Sequence, residues 1–293
     1  MKLRSKVELR RCRPLLGTFV EVLARARNEV VATRAIEAAF DAVARVDRLM
    51  SFHNPESDIS HMNRDAFSKG ALVQPWTWQV MKFSQKLACE SDGLFDLTVA
   101  SQLTERNYLP DRSYCFSSEA TWRDIFLPRN NEVFFRRKLI VDLGGIAKGF
   151  AVDRAIDALK ENGAVSGVVN AGGDLRVFGS APEQISLRNP KVPAASAGVL
   201  RLCNRAIATS STYFSPQALI DGRTRRAASE SVSVTVAANE CMIADALTKV
   251  VFARREKAAA LLRQYHADAL LLERDGSPSW TFQSPCRIPD PIR

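Results

Sequence analysis

The sequence predicts an α+β fold. Short alternating strands and longer helical stripes are interspersed along it. The regular βαβ cadence of a doubly wound sheet is absent. The 293-residue chain is 46% apolar and 25% charged, an ordinary globular composition. A chain of this length buries a sizeable core without disulfide or metal staples. No clear linker divides it, so residues 1–293 read as a single domain, with room for two lobes.

Thr18 to Leu23 alternates as an opening strand. From Val31 to Met50, Ile36, Phe40, Val43, Val46 and Met50 recur at helical spacing. Ser51 to Asn63 is polar and contains a proline, which predicts a loop with at most a short helical turn. Pro75 opens a second helix carrying Trp76, Val80, Phe83 and Leu87, and it ends before Gly93. GLFDLTVA follows as a loop. Residues 101–130 have weak periodicity and no assigned structure.

Val133 to Val141 reads as paired short strands leading into DLGGIAKG. Ala151, Val152, Ala155, Ile156 and Leu159 then form a helix face, with Gly163 at the expected C-cap. A strand at Gly167–Val169 enters a second glycine turn, NAGGDLRVFG. Strands are expected at Gln184–Leu187, Val199–Leu202, Arg205–Ala208 and Ser231–Val236, the last with Val232, Val234 and Val236 on one face. Helices at Cys241–Ala253 and Glu256–Tyr265 and a strand at Ala269–Leu272 close the chain.

The 41 Lys and Arg against 32 Asp and Glu give a net charge of +9, which suits an anionic partner such as a nucleotide. The basic residues are scattered, with short clusters at Arg10–Arg13, Arg136–Lys138 and Arg223–Arg226. They read as solvated surface, and no nucleic-acid partner is expected. Six isolated cysteines (Cys12, Cys89, Cys115, Cys203, Cys241 and Cys286) form neither a CxxC pair nor a disulfide framework. The basic N-terminus has no apolar signal region, and no stretch is long enough for a membrane span. A cytoplasmic protein is the expectation.

Three segments carry chemistry. In VDLGGIAKGFAVD, a strand ends at Asp142, two glycines follow, and Lys148 and Gly149 open a helix. Glycines admit close backbone approach, and a helix N-terminus favours an anion, so this is an anion-binding turn or a structural glycine turn. It is neither a Walker A loop nor a GxGxxG fingerprint. NAGGDLRVFG is a tight turn or a point of close approach. In the third segment, CMIADALTK, Asp245 and Lys249 could form an ordinary i,i+4 ion pair. Asp245 and Thr248 could instead offer two oxygens to a hard cation such as Mg²⁺. His53, His61 and His266 lack metal-ligand spacing, and Ser210 and Ser211 lack both a neighbouring base and a GxSxG elbow.

In order, LLGTFVEV, MSFHNPESDISHMN, GLFDLTVA, DLGGIAKGFAVDRA, VNAGGDLRVFG, AIATSSTYF, LIDGRTR, CMIADALTK and ADALLLERDG resemble the ApbE-type family of FAD:protein FMN transferases. The resemblance spans roughly residues 15–275 and implies a T-fold-like single α+β domain with two lobes and a nucleotide cleft between them. It implies transfer of FMN from FAD onto a Ser or Thr hydroxyl of a target protein, with release of AMP and assistance from Mg²⁺. By position it assigns FAD contacts to Leu16, His53, Leu94, Phe95, Asp96, Asp142, Lys148 and Ile220. It places the metal at Gly145 and Asp245, with Thr248 as the nearby hydroxyl. It supplies no catalytic base for this chain.

Departures from the family pattern fall on the metal and acceptor side. Lys249 stands where the second metal-serving residue, a Thr, is usual. Thr248 lies one residue early, which turns its side chain by about 100° around the helix. The HIIDPRTG stretch reads Ala218 to Arg225, without its His and Pro, and Ser211 and Thr212 replace a glycine and an acid. The segment from Ser215 to Glu230 looks shortened. Two functions therefore stand: an FMN transferase with altered metal use, or an FAD-binding homologue without transfer.

Overall fold

A computed structural model describes residues 7–192, 194–212, 217–227 and 233–283. The first strands, β1 (Val7–Leu15) and β2 (Thr18–Ala26), form a hairpin, and α1 (Glu29–Met50) follows. The Asn28 side chain caps α1 by accepting from the Val31 N–H at 2.9 Å, and all five residues of the expected stripe are buried. Next come α2 (Asp58–Asp65), β3 (Ala71–Leu72), α3 (Pro75–Glu90), α4 (Ala100–Glu105), β4 (Ile125–Phe126) and β5 (Glu132–Phe135). The chain continues through α5 (Ala147–Glu161), β6 (Ser166–Ala171), β7 (Asp174–Phe178), β8 (Glu183–Arg188), β9 (Ser196–Leu202), β10 (Ala206–Ser211) and β11 (Ser233–Ala238). It ends with α6 (Cys241–Ala253), α7 (Arg255–Gln264), β12 (Asp268–Leu272) and β13 (Pro278–Phe282).

Eight strands form one antiparallel sheet in the order β1-β2-β6-β7-β10-β11-β12-β13. α1, α5 and α6 pack together over one face, burying Val20, Val22, Val169, Ala208, Val234 and Val236. The β8–β9 hairpin lies over part of the other face, where Leu175, Val177, Leu202, Ile207 and Ala237 form a second small core. Because β11 is covered on both sides, all six of its residues are buried despite their alternation. A small sheet, β3-β5-β4, packs beside α2 and α3.

α5 ends in a Schellman motif: Gly163, at φ +89°, donates to the Lys160 carbonyl, and Ala164 to that of Leu159. The helix crosses α6 with unusual closeness. A Cβ built on Gly149 would lie 2.3 Å from the Cys241 carbonyl oxygen. The two helices also cap each other. The Gly149 N–H, in the first turn of α5, donates to Asp245 Oδ2 of α6 at 3.1 Å. In return, Asp153 of α5 accepts from the Cys241 and Met242 N–H groups of α6, each at 2.9 Å. We expect Gly149→Ala to lose about 2 kcal/mol, because backbone overlap outweighs the gain in helix propensity. The urea midpoint should fall without a change in slope, and an unchanged midpoint would mean that the helices separate freely.

Several expectations are corrected. The Ser51–Asn63 loop runs into an eight-residue helix: Ser57 caps α2 by accepting from Ser60 N–H, while Ile59 and Met62 are fully buried. Its polar residues are caps and ties, since Asp58 accepts from the Gln74 N–H and the Thr77 hydroxyl. GLFDLTVA is not all loop; it turns through a 3₁₀ segment at Leu97–Val99 into α4. Only 133–135 of the expected Val133–Val141 strand pair is strand. Around Val141 the Asn63 side-chain amide does the work of a partner strand, accepting from its N–H at 2.8 Å and donating to its carbonyl at 3.0 Å. β1, β7 and β13 were not expected. The starting residues of the expected Ser231–Val236 strand, Tyr213, Cys286 and the two ends of the 215–230 segment lie outside the described residues.

Candidate functional site

A cleft of about 240 Å³ opens between the β1–β2 turn, the end of α1 with residues 51–53, and the turn leading into α5. Leu16, His53, Asp142 and Lys148 line it, together with Val46, Met50 and Phe52. Its volume is below the range for a whole drug-sized ligand. Four of the residues assigned by resemblance are thus brought together, from parts of the chain far apart in sequence.

Leu16 reaches the cleft through strain. With Gly17 it forms the two-residue turn of the hairpin, at φ +57° and +68°, a backbone that disfavours a branched side chain. Its N–H is held by Asp47 Oδ2 at 3.3 Å. His53 is exposed, and its carbonyl is held by the Arg112 guanidinium. Asp142 caps its own turn by accepting from the Gly144 N–H at 2.9 Å. Burial pushes the Asp142 carboxyl above the usual range, opposed by that N–H and by His53.

Leu94, Phe95, Asp96 and Ile220 do not line the cleft. The first three are buried in the loop before the 3₁₀ segment. Phe95 abuts the glycine turn, its ring 3.9 Å from a Cβ built on Gly145. Asp96 accepts from the Thr98 N–H and hydroxyl, the Trp122 N–H and the Arg225 guanidinium. Burial nevertheless raises its pKa, with Arg225 opposing. Ile220 is buried in the 217–227 segment, which docks on this loop through the Gly222 N–H donating to the Leu94 carbonyl. Gly222 permits that approach, since a Cβ there would meet the Gly93 carbonyl oxygen at 2.3 Å.

Beside the cleft lies a cluster of four charges. The Lys148 ammonium pairs with Asp174, and the Lys249 ammonium pairs with Asp245. Asp174 and Asp245 are 2% and 1% exposed as side chains, so these are not surface ion pairs. Burial works against the Lys148 cation, but Asp174 and Asp245 outweigh it and raise its pKa. Burial also works against the Asp245 anion, but Lys249 and Lys148 outweigh it and hold its carboxyl below the usual range. Asp174 is pushed up by burial and by the Asp245 charge, with Lys148 and Lys249 opposing. Asp174 was missed in the sequence, although an acid directly after paired glycines was the available signal. The glycines make the β6–β7 turn, and the turn aims Asp174 at Lys148.

Gly145, Asp245 and Thr248 do not converge as a metal-binding set. Asp245 Oδ1 receives Lys249 and Oδ2 receives the Gly149 N–H. Thr248 is fully buried, hydrogen-bonded to the Ser210 hydroxyl at 2.7 Å and donating to the Asp245 carbonyl at 2.6 Å. Beside Gly145 sits the Lys249 stem, with Cε 3.3 Å from a built Cβ. No group of three or more His, Cys, Asp and Glu among the described residues is placed to hold a metal. As arranged, the donors do not fit a divalent ion.

The fold and site define an α+β protein with a cleft built on a glycine turn and a lysine-bearing helix start. The chain belongs to the ApbE family, whose family model matches residues 16–271. It is 25% identical to a FAD:protein FMN transferase of Vibrio cholerae, over 92% of this chain and 90% of that one. It is 24% identical to one of Klebsiella pneumoniae, over 85% and 84%. The ApbE protein of Thermotoga maritima superposes with a TM-score of 0.83 at 23% identity, covering 96% and 97% of the two chains. Flavin transferase ApbE from Vibrio cholerae gives 0.81 at 22% identity, covering 96% and 98%. Those two structures share the fold. Among the described residues, no helix is long and apolar enough to cross a membrane.

Proposed function

We propose that this chain binds FAD at the cleft and transfers its FMN half to a Ser or Thr hydroxyl of a target protein. The observation carrying this reading is the convergence of Leu16, His53, Asp142 and Lys148 on one cleft. In the proposed arrangement Leu16 and His53 flank the flavin ring, and Asp142 accepts from its ring N–H. Lys148 faces the pyrophosphate. Phe95 supports the glycine turn from behind, and Leu94, Asp96 and Ile220 belong to the buried loop and segment that hold Phe95 in place.

In the transfer, the target's hydroxyl oxygen bonds to the FMN phosphorus and the bridging P–O bond breaks. AMP leaves with the bridging oxygen, and the hydroxyl proton ends on AMP or solvent. Such chemistry demands positioning and fixed positive charge around the pyrophosphate. Lys148 supplies one fixed charge, because its raised pKa keeps it protonated. Incubation with FAD and a flavinylation target should yield an in-gel fluorescent acceptor and AMP in equal amounts. Bound yellow flavin without AMP would instead support a flavin-binding homologue, the reading favoured by the Lys249–Asp245 pairing.

The Asp142 carboxyl also predicts a pH profile. The ionised form accepts the ligand's N–H, and its pKa lies above the usual carboxylate value. FAD affinity should therefore weaken as pH falls below neutral, at a higher pH than an ordinary aspartate would allow. Asp142→Asn should flatten the profile. A wild-type affinity constant over that range would remove Asp142 from the contact.

A further inference from the structure

We infer that Lys249 is a tethered cation that stands in for a divalent metal beside the pyrophosphate site. This rests on the FAD reading and concerns the same site. The Lys249 ammonium is held by two oxygens of one residue, Asp245 Oδ1 and, at 3.0 Å, the Asp245 carbonyl. Its stem runs against Gly145, where a built Cβ would meet Cε at 3.3 Å and Cδ at 3.9 Å. The ammonium thus joins the glycine turn to the α6 aspartate, the two elements between which a metal would have to sit.

An ordinary i,i+4 helix pair is solvated and weak. This one is mostly buried, with its side chains 17% and 1% exposed. The remaining Asp245 oxygen is occupied by the Gly149 N–H, and the Thr248 hydroxyl is bonded to Ser210 and to the Asp245 carbonyl. A divalent ion would have to displace an ammonium from a buried carboxylate and then sit near Lys148, which also bears on Asp245. Both ammonium groups would repel it.

A tethered ammonium has one charge, three donors and no coordination geometry. It can hold a pyrophosphate electrostatically and needs no ion from solution. Flavin binding by this chain is accordingly independent of divalent cations, and Lys249 is a specificity-determining residue for metal use.

Two measurements test this on the intact chain. Manganese binding is followed by electron paramagnetic resonance, and FAD binding by quenching of flavin fluorescence in EDTA and in excess Mg²⁺. We expect the wild type to bind no Mn²⁺ at this site and to bind FAD equally in both media. Lys249→Thr should gain a Mn²⁺ site that Asp245→Asn removes. In EDTA it should bind FAD about tenfold more weakly than the wild type, with Mg²⁺ restoring the loss, which a merely structural lysine would not permit. Wild-type Mn²⁺ binding abolished by Asp245→Asn, or wild-type FAD affinity that falls in EDTA, would overturn the inference. Should Lys249→Thr misfold, the wild-type manganese titration still decides. Should FAD bind under neither condition, the FAD reading falls while that titration stands.

Discussion

Replacing Lys148 with methionine is expected to abolish measurable FAD binding and to destabilise the fold by about 3 kcal/mol at neutral pH. The two losses have separate causes. Affinity goes because the cleft loses its cationic end, where Lys148 is the lining residue of positive charge. Stability goes because Asp174, almost fully buried, keeps its charge without its hydrogen-bonded partner. The figure sits at the low end for a broken buried pair because the Lys148 side chain is 35% exposed and Lys249 still bears on Asp174.

The pH dependence separates these effects. In the variant the folded-state pKa of Asp174 rises further above its unfolded value. Stability from that group is then fully present below the unfolded pKa and is lost as pH rises through the folded one. The gap between variant and wild type should widen from acid to neutral pH in urea titrations. Adding Asp174→Asn removes the unpaired charge, so the double variant should regain most of the stability and none of the FAD affinity. Recovery of both would show that Lys148 acts on the fold alone.

Asp153→Ala should have the largest effect on stability, about 4 kcal/mol. One carboxylate meets three donors: the Cys241 and Met242 N–H groups and the Arg176 guanidinium at 2.7 Å. Glu240, at the position before α6, makes no side-chain cap of its own, so nothing replaces Asp153 there. Burial raises the pKa of Asp153, with Arg176 opposing, and the three donors are what make its charge tolerable. Asp153→Asn should lose roughly half as much, since an amide oxygen still accepts from a helix N–H but no longer faces Arg176 as an anion. Equilibrium unfolding in urea measures both variants. A loss under about 1 kcal/mol for the alanine variant would mean that α6 finds its cap elsewhere.

The helices were the most legible part of the fold. Val31 to Met50, Pro75 to Leu87 and Cys241 to Ala253 each bury a stripe, and periodicity alone locates them. The strand β1 escaped because VELRRCRPL reads as a basic, proline-bearing tail. As an edge strand it is mostly exposed, and arginines and a proline are what an unpaired edge tolerates. β7 was hidden inside a motif read only for its glycines, and α2 by the polarity of residues that turn out to be caps.

At the site, the glycine turn and its lysine were legible as a local pattern. The partner of that lysine was not, because Asp174 lies 26 residues further on and meets it only through the β6–β7 turn. Asp153 gave no signal at all, since an acid on an amphipathic helix usually faces solvent. Local spacing left the pairing of Asp245 and Lys249 open, because the same residues in an exposed helix would contribute little.

The reciprocal capping of α5 and α6 bears on when the site comes into being. Its contacts span 88 and 96 residues of chain. During synthesis the first turn of α5 therefore leaves the ribosome long before Asp245 exists to receive its N–H. Closing so large a loop loses entropy that only the finished helix–helix contact repays. Ligand competence is consequently a late event in the life of each molecule, reached only after α6 has emerged and docked.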